Sequence, residues 1–203
     1  MKTKRLILVT SPPASGKTYI SKKISEKLKH IVYLDKDTLI PLSKQIFVVA
    51  GEEYNRSSDF FEKYIRDYEY TTIVDLALEA LQYDDKVLIN APFTREIRSP
   101  EYMNNLKAKL KDYHAKLTVI WVITKPEVIH QRMVERNSDR DTWKLENWDE
   151  YIKDVDFSIP STIDDQNDEL DFLKFYNSSD EEYDESMTRI VSLLENDGLS
   201  SSL

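Results

Sequence analysis

Five short apolar runs, Arg5 to Thr10, His30 to Leu34, Lys86 to Ala91, Leu117 to Thr124 and Leu170 to Tyr176, alternate with longer stretches of helical periodicity. This alternation constrains the fold more than any other feature. The first four runs are continuous and rich in β-branched residues, as strands covered on both faces are. Between and after them, helical spacing predicts helices over Lys17 to Lys29, Asp37 to Ala50, Ser58 to Tyr83, Ser99 to His114, Pro126 to Asn137, Trp148 to Val155 and Asp180 to Glu195. Strand followed by helix, repeated, predicts an α/β fold with a parallel sheet between two helical layers. A chain of 203 residues suits one domain with a substantial core. Three helix starts carry recognisable capping chemistry: Asp59 with Glu62, Ser99 before Pro100, and Thr124 with Pro126 and Glu127.

Glycine is scarce, three residues where average usage gives roughly fourteen, which argues against a turn-rich all-β or Gly-flexible chain. The absence of cysteine excludes disulfides, thiolate metal sites, Fe–S clusters and a Cys nucleophile. The longest apolar run, Leu117 to Ile123, is far shorter than a membrane-spanning helix needs. Met1 to Arg5 resembles the basic start of a signal peptide, but the apolar stretch after it stops at Ser11-Pro12-Pro13. The expectation is a cytoplasmic protein without a membrane segment.

Charge is uneven. Residues 1–50 carry ten basic and three acidic side chains, residues 51–140 fourteen and sixteen, and residues 141–203 four and eighteen, within a net charge of −9. A basic first quarter in an acidic chain points to a local anion site and argues against binding duplex nucleic acid, which favours a basic domain. Lys22, Lys23, Lys27 and Lys29 also fit a solvated helix face.

The first strand, Leu6 to Thr10, runs directly into Ser11-Pro12-Pro13-Ala14-Ser15-Gly16-Lys17-Thr18, and an amphipathic helix with Ile20, Ile24 and Leu28 on one face follows at once. This is the phosphate-binding loop pattern GxxxxGK[ST] with Ser11 at the first glycine position. Such loops hold phosphates on successive backbone N–H groups and a helix N-terminus. The two prolines lie early enough to leave the amides of Ala14, Ser15, Gly16, Lys17 and Thr18 as donors, with Pro13 and Tyr19 flanking them. Gly16, lacking Cβ, permits close approach; Lys17 would bridge the β- and γ-phosphates of ATP, and the Thr18 hydroxyl would ligate Mg²⁺.

Other parts narrow the class. A switch GTPase would show an Asn-Lys-x-Asp base-reading motif, and a motor an acidic pair ending a strand; here the third strand ends Ile89-Asn90-Ala91-Pro92-Phe93. Small kinases remain. The second strand is followed by Asp35-Lys36-Asp37, and either carboxylate could accept a hydroxyl proton as general base or hold Mg²⁺ through water. Asp37 also stands where it could cap the helix starting at Thr38. Arg132, Arg136 and Arg140 are four apart, a spacing at which like charges repel on a helix unless an anion compensates. Glu135 and Asp139 could supply that anion internally; alternatively the arginines form a lid over ATP phosphates. Arg95 and Arg98, just past strand three, are candidates for a polar or anionic substrate at the carboxyl edge of the sheet. His30, His114 and His130 lack metal-ligand spacing, and Trp143, Trp148 and Tyr151 read as packing that could also cover an adenine. Phe60, Phe61, Tyr64, Ile65 and Tyr68 repeat at helical spacing and read mostly as core.

The succession of the phosphate loop, Asp35-Lys36-Asp37, Asn90-Ala91-Pro92-Phe93, and the Pro126 to Asn137 run before Arg140-Asp141 resembles the small P-loop kinases of the AAA-33 type, relatives of polynucleotide 5′-kinase, chloramphenicol phosphotransferase and the zeta toxins. The resemblance covers roughly residues 4–140. It implies a P-loop NTPase three-layer sandwich with a five-stranded parallel sheet of order 2-3-1-4-5, helices on both faces and a lid near 132–150. It also implies ATP and Mg²⁺ as cofactors, with Lys17, Thr18, Asp37 or Asp35, and Arg132, Arg136 and Arg140 in the functional positions. The domain would span 1–196, with a helical substrate insertion at 38–83 and a disordered tail at 197–203. The expected activity is transfer of the γ-phosphoryl group to a hydroxyl of a small-molecule or nucleoside-like acceptor; the alternative is a nucleotide-binding regulator or zeta-toxin-like protein without a simple metabolite acceptor. Ser11 and Asn90, the latter where many relatives carry an acidic residue, depart from the pattern. Ile40 stands where polynucleotide kinase-like members commonly have Arg, which argues against a nucleic-acid 5′ end as substrate. Oligomeric state has no signal in the sequence.

Overall fold

Leu6, Ile7, Leu8 and Val9 are all fully buried, which a strand achieves only with helices on both of its faces. They belong to β1 (Lys4–Thr10), the middle strand of a five-stranded sheet completed by β2 (Ile31–Asp35), β3 (Lys86–Asn90), β4 (Ala115–Ile123) and β5 (Phe172–Tyr176). The computed structural model describes residues 4–137, 141–164 and 170–197. All four strand pairings are parallel and the order is β2-β3-β1-β4-β5, as expected. Alternation of side chains along β1 divides the core. Leu6 and Leu8 face α4 (Asp67–Ala80) and α5 (Pro100–Asp112), while Ile7 and Val9 face α1 (Lys17–Lys27) and α10 (Asp180–Asn196). Each such side chain contributes about 1.5–3 kcal/mol by leaving water.

The edge strands depart from the continuous-burial expectation. β2 is half-buried along its length, because it has one neighbour and lies at the sheet margin. Register matters more for function: Asp35 pairs with Asn90, and Asn90 with Val9, so the ends of β2, β3 and β1 lie side by side where β1 enters the phosphate loop.

The long crossover from β2 to β3 contains a 3-10 turn (Lys36–Leu39), α2 (Ile40–Ala50) and α3 (Asp59–Phe61), which passes through a π-helical turn (Glu62–Arg66) into α4. Gly51 closes α2 in the left-handed conformation, φ +71°, where a Cβ would be strained. Of the aromatic stripe read as core, Phe61 and Ile65 are buried, but Tyr64 and Tyr68 are mostly exposed, because the π turn rotates the helix face. The cap of α3 is Ser58, whose hydroxyl accepts from the Phe61 amide, one residue before the expected Asp59. Ser99 caps α5 as expected, accepting from Tyr102. Thr124 does not cap α6 (Pro126–Arg136); its hydroxyl donates to the Ser15 carbonyl at 3.1 Å and fastens the phosphate loop to the end of β4.

Beyond α6, α7 (Thr142–Glu146) and α8 (Trp148–Asp154) pack back on it through Tyr151, Trp148 and Leu145, with α9 (Ser161–Asp164) following. Asp197 is the last described residue. It pairs with the buried Arg5 guanidinium, which also donates to Thr118 at 3.1 Å, so the start of the tail is tied to β1; positions 198–203 lie outside the described residues. Among the described residues no helix is long and apolar enough to cross a membrane.

Candidate functional site

The turn from β1 to α1 is built by two left-handed residues. Gly16 has φ +90° and Ala14 φ +62°, and together they turn the amides of the loop inward. Ala14 is there at a cost, since left-handed backbone disfavours a Cβ by roughly 1–2 kcal/mol; such strain is often held at functional sites. Ser11 does not have positive φ, so this loop makes no use of a glycine's freedom there. Its hydroxyl, buried, bonds the Pro12 carbonyl at 3.1 Å. The Ser15 hydroxyl reaches the same carbonyl at 3.0 Å, and Lys17 Nζ donates to it at 3.1 Å.

A cavity of about 590 Å³ opens above this turn. Its lining includes Pro13, Ala14, Gly16, Lys17, Thr18 and Tyr19 from the loop and α1, together with Asp35 and Asp37 from the end of β2 and Arg132 and Arg136 from α6. Ser15 lies beneath rather than on its wall: its carbonyl accepts from Thr124 and from Asn177 Nδ2 at 2.8 Å. Tyr19 is largely exposed, tilted against Tyr183.

The two aspartates differ in role. Asp35 already accepts three bonds, from the Tyr33 hydroxyl at 2.9 Å, Asn90 Nδ2 at 3.1 Å and the Asp37 amide at 3.0 Å. Burial and the Asp35 carboxylate push the Tyr33 hydroxyl well above the usual phenol range, keeping it a donor. Asp35, not Asp37, caps the turn that follows. Asp37 is left with 61% of its side chain exposed toward the cavity and Lys36 Nζ 3.4 Å away.

Asn90 connects both ends. Its Nδ2 also donates to Thr18 Oγ1 at 3.0 Å, while its Oδ1 is buried with no partner among the described residues. An orphaned acceptor beside a hydroxyl and a carboxylate suits the water shell of Mg²⁺, which favours oxygen ligands and retains several waters. The residues therefore fit a phosphate-bound Mg²⁺, which Thr18 would ligate and which Asp35 and Asn90 would reach through water. Among the described residues no cluster of three His or carboxylate side chains could hold a metal alone.

Arg132 brings a partly buried cation to the loop. Its Nη2 donates to the Asn177 carbonyl at 3.0 Å, while its Nη1 is buried without a partner among the described residues, 3.7 Å from where a Cβ on Gly16 would stand. A buried guanidinium N–H left unpaired is costly, and an anion beside the loop glycine would remove that cost. Arg136 is engaged differently. It grips Asp141, which is fully buried and also pairs with Lys144 at 3.3 Å. Burial alone would raise the Asp141 carboxyl, but bonds from Arg136 and Lys144 hold it below the ordinary range. Asp141 is therefore a compensating anion for Arg136, and Glu135, the expected internal anion for Arg132, accepts from Gln131. Arg140 and Asp139 lie outside the described residues.

Arg95 and Arg98 do not line the cavity. Arg95 is exposed and bonds Glu62 at 2.9 Å; Arg98 pairs with Asp156 at 3.0 Å and donates to the Ser158 carbonyl at 2.9 Å, stapling the segment after α8. His130 stacks edge-on against Trp148, and Trp148 and Tyr151 pack on α6, whereas Trp143 is exposed. The residues that sequence reasoning missed are Asn177 and Lys144. Asn177 directly follows β5 at the carboxyl edge of the sheet, a position that is itself a signal; Lys144 has none.

Residues 6–157 match the family model AAA_33, described as an AAA domain. The chain belongs to the AAA_33 family. No curated protein sequence matches it. Among solved structures, this AAA_33 chain is similar to a kinase candidate from Chloroflexus aurantiacus, at 20% identity over 97% of this chain and 99% of that one, TM-score 0.66. It is also similar to a gluconokinase from Sinorhizobium meliloti, 16% identical over 98% of both chains, TM-score 0.54, and to a shikimate kinase from Bacteroides thetaiotaomicron, 16% identical over 95% and 98%, TM-score 0.53. At these identities the likeness establishes the fold, that of the small P-loop kinases.

Gly16 offers a direct test of this AAA_33 loop. A Cβ there would sit 2.6 Å from Asn177 Nδ2 in a backbone conformation hostile to L residues. Gly16→Ala is expected to break the Asn177 to Ser15 bond and to destabilise the fold by about 1–3 kcal/mol. Urea unfolding of both chains measures it; an unchanged midpoint would show that the loop has slack.

Proposed function

We propose that this protein is an ATP- and Mg²⁺-dependent kinase that transfers the γ-phosphoryl group to a hydroxyl of a small-molecule or nucleoside-like acceptor. The observation that carries this reading is the buried Nη1 of Arg132, which stands near Gly16 and has no partner among the described residues. Loop amides, Lys17 and Arg132 would surround the phosphates, and Thr18 with Asp35 and Asn90 would hold Mg²⁺, which neutralises phosphate charge when bound. Arg136 and Lys144 line the same cavity, where Arg136 would stabilise transferred charge.

Asp37 is the better general base. Asp35 spends its oxygens on three donors, whereas Asp37 keeps its carboxylate open to the cavity. Asp37→Asn should lower transfer by about 10²–10⁴-fold while leaving ATP binding intact. Turnover equal to the native chain would move the proton to Asp35.

The acceptor class is tested by γ-labelled ATP transfer over nucleosides, sugars, aminoglycoside-like alcohols and 5′-hydroxyl oligonucleotides. Label in one class of acceptor identifies it. ATP hydrolysis that none of them accelerates would favour a nucleotide-binding regulator. The similar gluconokinase and shikimate kinase make polyhydroxy acids the first acceptors to add to this screen.

A further inference from the structure

Away from the phosphate loop, a groove of about 820 Å³ runs between α4 and α5 on the outer side of the sheet. Its floor is apolar, formed by Val74 and Leu106 with the rings of Tyr70 and Tyr102. Both helices precede a strand of the parallel sheet, so both run from its carboxyl edge back toward its amino edge. The groove therefore has two distinct ends.

At the carboxyl end stands Glu96, 8% exposed. One oxygen takes Arg66 Nη2 at 2.7 Å; the other, Oε2, is buried and has no hydrogen-bond partner among the described residues. Asp67 lies at the same end, 3.0 Å from Arg66, so the two carboxylates exceed the guanidinium by one charge. At the other end Asp75 and Asp112 exceed Lys109 by one charge. Asp67 and Asp75 are eight residues apart on α4, about 12 Å along the helix. Two anionic ends thus flank an apolar floor two helical turns long. A carboxylate oxygen buried without a donor is costly, and a ligand N–H removes that cost.

We propose that this groove is a second binding site, for a linear polyamine, with one terminal ammonium on Glu96 Oε2, the other between Asp75 and Asp112, the methylene segments along Tyr70, Val74 and Leu106, and the internal ammonium turned to the open side of the groove, where the exposed Thr71 and Asn105 line it. The extended chain of spermidine spans a comparable length. A longer reach than that of a short diamine is required, because a single ammonium satisfies only one end. The site shares a wall with the phosphate cavity through one contact: the Tyr70 hydroxyl donates to the carbonyl of Pro92, which lines that cavity. Occupancy would stiffen this wall. Binding itself is independent of whether the protein is a kinase.

Calorimetric titration of the full chain with spermidine in about 0.1 M salt, where general attraction is screened beyond roughly 10 Å, tests the proposal. Expected is one site per chain, bound more tightly than putrescine. Glu96→Gln should weaken it by about tenfold or more, since hydrogen bonds to a charged group are worth that much. Asp75→Asn with Asp112→Asn should reduce spermidine to the affinity of putrescine. Ala108→Trp places an indole in the groove from an exposed lining position and leaves Glu96 itself unsubstituted, and should abolish the site; it decides alone if Glu96→Gln fails to fold. Absence of binding, binding that survives Ala108→Trp, or several weak sites per chain would overturn the proposal and leave only attraction to an acidic surface.

Discussion

Lys17→Ala is expected to lower ATP–Mg²⁺ affinity by about a hundredfold, measured by calorimetry, while the unfolding transition stays within about 1 kcal/mol of the native chain. The side chain lines the candidate phosphate cavity, with Nζ on the Pro12 carbonyl at 3.1 Å. Phosphate oxygens are far stronger acceptors for an ammonium than a neutral carbonyl, and charge-assisted bonds are roughly twice as strong as neutral ones. Loss of such bonds to a charged ligand costs about 1.5–3 kcal/mol each, or one to two orders of magnitude in affinity. Loop amides and Arg132 remain in the variant, so binding is weakened rather than erased. Affinity equal to that of the native chain would remove the phosphate site from this loop and the proposed activity with it.

Glu69→Ala is expected to destabilise the fold by about 3–5 kcal/mol at pH 7, read from urea unfolding. Glu69 is buried and accepts from Arg56 at 2.8 and 2.7 Å, Ser43 at 2.5 Å and Lys36 at 3.0 Å. Removing it leaves the Lys36 ammonium, itself 3% exposed, without its buried counter-charge. The same carboxylate gives the fold an acid limit. Burial opposes its ionisation, but the donors prevail and hold its pKa at about 2, against 4.5 for an ordinary glutamate. A folded-state pKa below the unfolded one gives stability that is fully present above about pH 4.5 and lost as pH falls toward 2, about 3 kcal/mol in all. The stability gap between native and variant chains should therefore narrow across that window. A gap constant from pH 6 to pH 2.5 would remove Glu69 as its source. Because Lys36 sits between Asp35 and Asp37, this network also fixes the turn that presents Asp37, so the variant should transfer phosphate more slowly even where it is folded.

The succession of strands and helices was legible because period-2 and period-3.6 patterns need only local residues. Boundaries moved where local rules met tertiary demands: Thr124 has a capping residue's chemistry but spends its hydroxyl on the Ser15 carbonyl. Tyr64 and Tyr68 share a stripe with buried neighbours, yet a π turn swings them outward. The phosphate loop was readable because its residues are contiguous. The arginines were readable as a group but not as individuals. Only the fold gives Arg136 to the buried Asp141 and leaves one N–H of Arg132 near Gly16 with no partner among the described residues. Arg95 and Arg98 follow a strand that ends near the site, but Glu62, Asp156 and Ser158 draw them away from it.

By itself, then, the sequence determined a parallel α/β sandwich and the place of its phosphate loop, since hydrophobic period, glycine placement and loop composition act over a few residues. The tertiary structure alone decided the difference between Asp35 and Asp37, the pairing of Asn90 with Thr18, the reach of Asn177 to the loop, and the groove with its unpaired Glu96 oxygen. Each depends on strand register or helix packing between residues tens of positions apart, where hydrogen-bond supply and burial are set by neighbours that no local pattern names.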